Sequence, residues 1–109
     1  MRAYHQLDVC EHRGRFTVRL PDHRIIHQWE IEQVVGQLQE LAARHDCQVM
    51  VLDLSNVDRL SSEVLGKLLT VNRRLRQRKA ELILCRLKPT LRTVFEWTKL
   101  DRVFQIHEN

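Results

Sequence analysis

Two adjacent hydroxyls, Ser61 and Ser62, stand where an apolar run gives way to a helical pattern, with Asp53, Asp58 and Glu63 close by in the chain. A serine just before a helix accepts a hydrogen bond from a backbone N–H of the first turn and so caps it. One serine is enough for a cap. The second, at the first helical position, presents a hydroxyl that covalent modification can reach. A phosphate there would meet unsatisfied backbone N–H groups and the positive end of the helix dipole. It would also set about two negative charges beside Glu63 and near Asp58, enough to disrupt a protein interface by like-charge repulsion and desolvation. Residue types alone leave both readings open, a plain cap or a switch.

Other chemistries lack their parts. Of the six histidines, at 5, 12, 23, 27, 45 and 107, only His23 and His27 stand four apart (H-R-I-I-H), in a piece that reads as extended and not as a helix, and none forms HExxH. Only three glycines are present, with no GxGxxG, no Walker loop and no GxSxG around either serine. Cys10, Cys47 and Cys85 form no CxxC and are odd in number; each sits in or beside an apolar run, which predicts buried, reduced thiols. The sequence therefore predicts no enzyme, no catalytic residue, no metal site and no cofactor.

The elements that position the serines follow from periodicity. Val49 to Leu54 is an almost continuous apolar run ending around Asp53, and Cys47 to Leu54 reads as a central strand covered on both faces. Ser55 to Arg59 make a polar bend. From Ser62 to about Arg78 the period becomes helical, with Val64, Leu65, Leu68, Leu69, Val71, Asn72 and Leu75 on a broad apolar side. With Ser61 as N-cap, Leu60 and Leu65 fall at the two positions of a hydrophobic staple, and Glu63 lies where the dipole favours an acid.

Around this core unit, residues 3–10 alternate loosely, as an edge strand does, Glu11 to Gly14 turn, and Arg15 to Leu20 alternate cleanly, which predicts a hairpin. Pro21-Asp22 breaks the pattern, and Arg24 to His27 form a further short extended piece. Trp29 to His45 are helical, with Ile31, Val34, Val35, Leu38, Leu41 and Ala42 on one stripe and Gly36 as a site of close packing by another element. Glu81 to Leu87 is a strand. Pro89 opens a short helix with Leu91, Val94 and Phe95 inward, and Val103 to His107 is the last strand. Strands alternating with helices require a mostly parallel sheet, made mixed by the hairpin. The expectation is one α/β domain over residues 1–109, with a four- to five-stranded mixed sheet and three main helices.

At 109 residues, 43% hydrophobic and 29% charged, the chain has the composition of a globular domain of that size. No apolar run is long enough to span a membrane and the first residues lack a signal-peptide core, so the expected location is cytoplasmic and away from membranes. The formal net charge of +4 comes mostly from Arg73, Arg74, Arg76, Arg78 and Lys79. Cations at a helix C-terminus are favoured by its dipole, and no aromatic residue is interleaved to stack a base. The solvated-helix reading of residues 73–79 therefore outweighs nucleic-acid binding.

The succession of apolar strand, D-L-S-N-V, a serine opening a helix with L-G-K-L, then R-R-L-R-Q-R-K-A-E-L-I-L-C-R-L and V-F-E-W-T-K-L-D-R-V-F-Q-I, resembles the STAS domain of bacterial anti-sigma factor antagonists over residues 14–109. The resemblance implies a regulatory protein-binding module. Its partner would be an anti-sigma factor that is also a serine kinase, which ends the interaction by phosphorylating a serine at the start of the second helix. The family string D-S-[ST]-G-L-G, set on L-S-S-E-V-L-G, puts that serine at Ser62, with Ser61 as the alternative. It implies partner contacts at Asp53, Ser55, Asn56, Asp58, Ser61, Ser62, Glu63 and Lys67. A PP2C-type phosphatase and other STAS domains are further implied partners, the latter in a phosphorylation-independent scaffold. The chain departs from the string where Ser61 replaces an acid and Glu63-Val64 replace a small residue and glycine.

Overall fold

The computed structural model describes residues 8–20 and 28–107, with side chains from residue 32 onward in the first helix. Its elements are β1 (Asp8–His12), β2 (Arg15–Arg19), α1 (Gln28–Ala43), β3 (Val49–Asp53), α2 (Ser62–Gln77), β4 (Glu81–Cys85), α3 (Pro89–Trp97), a 3-10 turn (Leu100–Arg102) and β5 (Gln105–His107). The strands lie in chain order across one sheet. β1 is antiparallel to β2, and β2 through β5 are parallel. This is the mixed sheet with three helices that the alternation predicts.

The order of the strands explains where the helices go. Each parallel crossover moves one strand in the same direction, and crossovers of one hand then leave every helix on the same face. The main core lies on that face. Phe16, Val18, Met50, Leu52, Leu82 and Leu84 from alternate strand positions meet Leu38 and Ala42 of α1, Leu68, Val71 and Leu75 of α2, and Leu91 and Phe95 of α3. Burial of each such large side chain contributes about 1.5–3 kcal/mol. The other face carries a small cluster of Val51, Ile83 and Cys85 backed by Val49. Val51 and Leu52 are 6% and 0% exposed, so β3 is buried on both faces, as its continuous apolar run predicts.

Several local readings change. β1 runs on to His12, and the hairpin closes through only Arg13 and Gly14, both at positive φ (52° and 83°). A Cβ on Gly14 would come within 3.1 Å of the Asp46 carbonyl oxygen, so that position needs glycine on two counts. Leu69 and Val94 face outward, at 36% and 44% exposure, because the inner stripe of each helix is narrower than its run of apolar residues. Gly36 is no packing site: nothing lies within 4 Å of where its Cβ would be. Cys47 and Cys85 are buried, but Cys10 is exposed on the edge strand. The last strand begins at Gln105, because Val103 and Phe104 extend the preceding turn by donating to the Leu100 carbonyl. The expected extended pieces at 3–7 and 24–27, and the side chain of Ile31, lie outside the described residues.

Candidate functional site

The carboxyl ends of parallel strands leave their last carbonyls and side chains facing a crevice. Here β2 ends with Arg19 and β3 with Asp53, which stand side by side in the register, and Arg86 follows β4 directly. Asp53 is only 5% exposed. Its Oδ1 accepts the Ser55 N–H at 2.9 Å, and its Oδ2 lies 3.5 Å from Arg86 Nη1 and 3.7 Å from Arg19 Nε. Burial pushes this carboxyl up, but the bonds from Ser55 and the two guanidiniums overcome it and hold the group below its ordinary value. Arg86 reaches that position from a left-handed backbone (φ 59°), which costs a non-glycine residue about 1–2 kcal/mol. Asp53 thus turns the chain out of the sheet and fixes the start of the loop.

The loop then runs across the end of the core. Val57 is buried and its N–H returns to the Leu54 carbonyl at 3.0 Å. Asn56 Nδ2 donates to the Leu20 carbonyl at 3.4 Å, and Lys88 Nζ lies 2.5 Å from Asp58 Oδ1, tying this loop to the residue before α3. Leu60 and Leu65 both pack against the main core on either side of the helix start. Ser61 is the N-cap, with extended backbone (φ −74°, ψ 161°) and its Oγ accepting the Val64 N–H at 3.2 Å. Ser62 is the first helical residue and is exposed. One turn along, Glu63 and Lys67 line a shallow groove of about 200 Å³ with Glu32, Val35, Gly36 and Gln39 of α1.

The residues expected to bind a partner therefore separate into groups. Asn56, Asp58, Ser61, Ser62, Glu63 and Lys67 are exposed, and Ser55 is half-buried. Asp53 stands apart, nearly buried and held by Ser55, Arg86 and Arg19 within the protein. Sequence reading missed Arg19, Arg86 and Lys88, which hold Asp53 and Asp58. The signal for the arginines is their place at strand ends, but it becomes readable only once neighbouring strands and register are known. In the basic run, Arg78 turns back on α1. Its Nη1 donates to the Ala42 carbonyl and its Nη2 to those of Arg44 (2.5 Å) and Cys47 (3.2 Å).

Among the described residues there is no group of three or more His, Cys, Asp or Glu side chains that could hold a metal ion. Nor, among them, is any helix long and apolar enough to cross a membrane.

Comparison with known proteins agrees with this architecture. BtrV of Bordetella bronchiseptica is 44% identical over 69 residues, a match spanning 62% of this chain and 60% of BtrV. The anti-sigma F factor antagonist of Paenibacillus polymyxa is 26% identical over 104 residues, 95% of this chain and 87% of that protein. An anti-sigma-factor antagonist (STAS) domain protein from Planctomyces limnophilus superposes with a TM-score of 0.81 at 17% identity, over 94% of this chain and 90% of its own. The phosphorylated form of the Bacillus cell fate determinant SpoIIAA superposes at 0.68, also at 17% identity, over 94% and 92%. With the STAS domain family model matching residues 22–109, the chain belongs to the STAS domain family.

Proposed function

We propose that this protein is an anti-sigma factor antagonist whose partner is an anti-sigma factor with serine kinase activity, and that phosphorylation of Ser62 releases that partner. The observation that carries the reading is the division between the two serines. Ser61 Oγ is occupied by the Val64 N–H, whereas Ser62 is exposed at the first helical position. Further support comes from the Paenibacillus relative, an anti-sigma F factor antagonist, and from the existence of SpoIIAA in a phosphorylated form. The docking surface in this reading is the exposed row Asn56, Asp58, Ser62, Glu63 and Lys67.

The mechanism is electrostatic and leaves the fold in place. A phosphate on Ser62 adds a charge of about −1.5 to −2. The helix N-terminus favours it, so α2 does not melt. The same charge next to Glu63 and near Asp58 makes an already acidic surface more negative, so that a partner meets repulsion and a larger desolvation cost. The test is to incubate the protein with its cognate kinase and ATP, map the modified residue, and compare Ser62→Ala with Ser61→Ala. Label on wild type and Ser61→Ala but none on Ser62→Ala is the expected result; undiminished labelling of Ser62→Ala overturns the assignment.

A further inference from the structure

β1 is an edge of the sheet, and among the described residues nothing pairs with its outer side. All five of its residues are exposed, Val9 at 42%. An edge strand exposes a row of unpaired N–H and C=O groups, which proteins ordinarily blunt with lysine, proline or a covering segment. Asp8-Val9-Cys10-Glu11-His12 contains neither lysine nor proline.

The hairpin fixes which groups point outward. Its two-residue turn, with both residues at positive φ, makes His12 and Arg15 the closing hydrogen-bonded pair. Alternation then turns the N–H and C=O of Cys10 and Asp8 toward β2, and those of Val9 and Glu11 outward. A two-fold antiparallel pairing of β1 with itself that uses all five residues places Val9 opposite Glu11 of the second copy. This is the pair whose free groups can bond. Cys10 then faces its own equivalent, and Asp8 faces His12, an acid against a base. The strand is self-complementary in length and hydrogen-bond parity, and it sets a carboxylate against an imidazole at each end.

A second feature lies beside the same edge. On the helix face, Val9 lines a groove of about 390 Å³ with Gln37, Glu40, Leu41 and Arg44 of α1. A two-fold axis perpendicular to the sheet at Cys10 brings two such grooves together. Each has an apolar floor of Val9 and Leu41 and carries one acid and one base. We propose that β1 is a homodimerisation edge, joining two copies into a continuous ten-stranded sheet with Cys10 on the two-fold axis. It is independent of the Ser62 switch, because β1 and the start of α2 share no pairing.

The experiment combines sedimentation or light scattering over a concentration series with copper-phenanthroline oxidation of the purified chain. In the proposed register the two Cys10 Cα atoms stand about 4.5 Å apart in a non-hydrogen-bonded pair, within disulfide range. Oxidation should therefore give a covalent dimer that Cys10→Ser abolishes, while Cys10→Ser still dimerises reversibly. Val9→Pro removes only an outward N–H, which an edge strand tolerates, and should move the dimerisation midpoint about tenfold higher in concentration. His12→Asp should weaken the dimer by opposing two carboxylates, and adding Asp8→His should restore it. A chain that stays monomeric and uncrosslinked at every concentration overturns the proposal. So does a dimer indifferent to Val9→Pro, or a crosslink that survives Cys10→Ser.

Discussion

Ser61 Oγ accepts the Val64 N–H at 3.2 Å, while its neighbour Ser62 stands one residue inside the helix with its side chain exposed. Adjacent residues of the same type thus differ in what they do for stability. Ser61→Ala should cost about 1 kcal/mol, the usual loss of an N-cap. Ser62→Ala should stay within about 0.5 kcal/mol of wild type, as surface substitutions do. Urea unfolding of both variants checks this, and equal losses would mean that the cap is shared.

Ser62→Asp separates the fold from the switch. An acid in the first turn interacts favourably with the helix dipole, by about 0.3–1 kcal/mol at an exposed site. The variant should therefore be as stable as wild type or slightly more so, while its affinity for the anti-sigma partner falls about tenfold, equivalent to ~1.4 kcal/mol. Thermal unfolding and titration calorimetry on the same preparation make the comparison. Full affinity would speak against a charge switch at this position.

Asp53 ties stability to pH. Burial alone would raise its carboxyl, but Ser55, Arg86 and Arg19 bring the net shift below the ordinary value. The unfolded chain therefore takes up this proton first as pH falls. The stabilisation is complete above the usual aspartate pKa of about 3.9 and is lost as pH drops through the lower folded value. The long contacts to half-exposed arginines (3.5 and 3.7 Å) add little, so most of it rests on the Ser55 N–H, a bond to a charged group worth about 1.5–3 kcal/mol. Asp53→Asn should be less stable than wild type at neutral pH, and the gap should narrow below about pH 4. Asp46, also held low by its bond to Arg44, is present in both proteins and cancels in the comparison.

The three thiols should divide by location. Burial pushes the Cys47 and Cys85 thiols above their ordinary values and screens them from reagent, whereas Cys10 lies exposed on β1. Under native conditions a thiol reagent should label Cys10 alone, and all three should react in denaturant. Equal rates at all three in the folded protein would contradict the packing.

Much of this was readable in the sequence. The continuous run before Asp53, the switch to helical period at Ser62 and the serine cap depend only on neighbours in the chain, and each appears where the pattern puts it. What escaped depends on residues distant in sequence. The partners of Asp53 are unreadable until parallel pairing sets Arg19 beside it and Arg86 next to that. Cys10 reads as buried from its apolar neighbour, although the loose alternation of its strand reads as an edge, and the edge position leaves it exposed. Gly36 reads as a close approach, but α1 and α2 leave open space there. The turn over Glu11 to Gly14 is legible, but its closing through two residues is not, because Arg13 takes a left-handed conformation where asparagine or aspartate is expected.

Arg78 is the sharpest case of a role that only tertiary structure reveals. In sequence it is one of five cations between residues 73 and 79; in the fold its guanidinium closes the end of α1 and the turn after it by donating to the carbonyls of Ala42, Arg44 and Cys47. The Ala42 carbonyl lies in the last turn of α1, whose acceptors have no partner further along the helix. Arg44 and Cys47 belong to the turn that follows, where the Arg44 carbonyl also accepts the Cys47 N–H at 3.2 Å. Arg78→Ala should therefore destabilise the protein by about 1.5–3 kcal/mol, the range for hydrogen bonds to a charged group. Arg73→Ala and Arg74→Ala, at exposed positions, should change stability by less than about 0.5 kcal/mol. Arg78→Lys should recover only part of the loss, because an ammonium cannot span several carbonyls as the planar fork does. Hydrogen exchange at the end of α1 gives the local readout. Faster exchange of the amides near Ala42 and Cys47 in Arg78→Ala, with unchanged exchange in β3, is expected; uniform acceleration across the domain would assign Arg78 to global stability and not to the helix end.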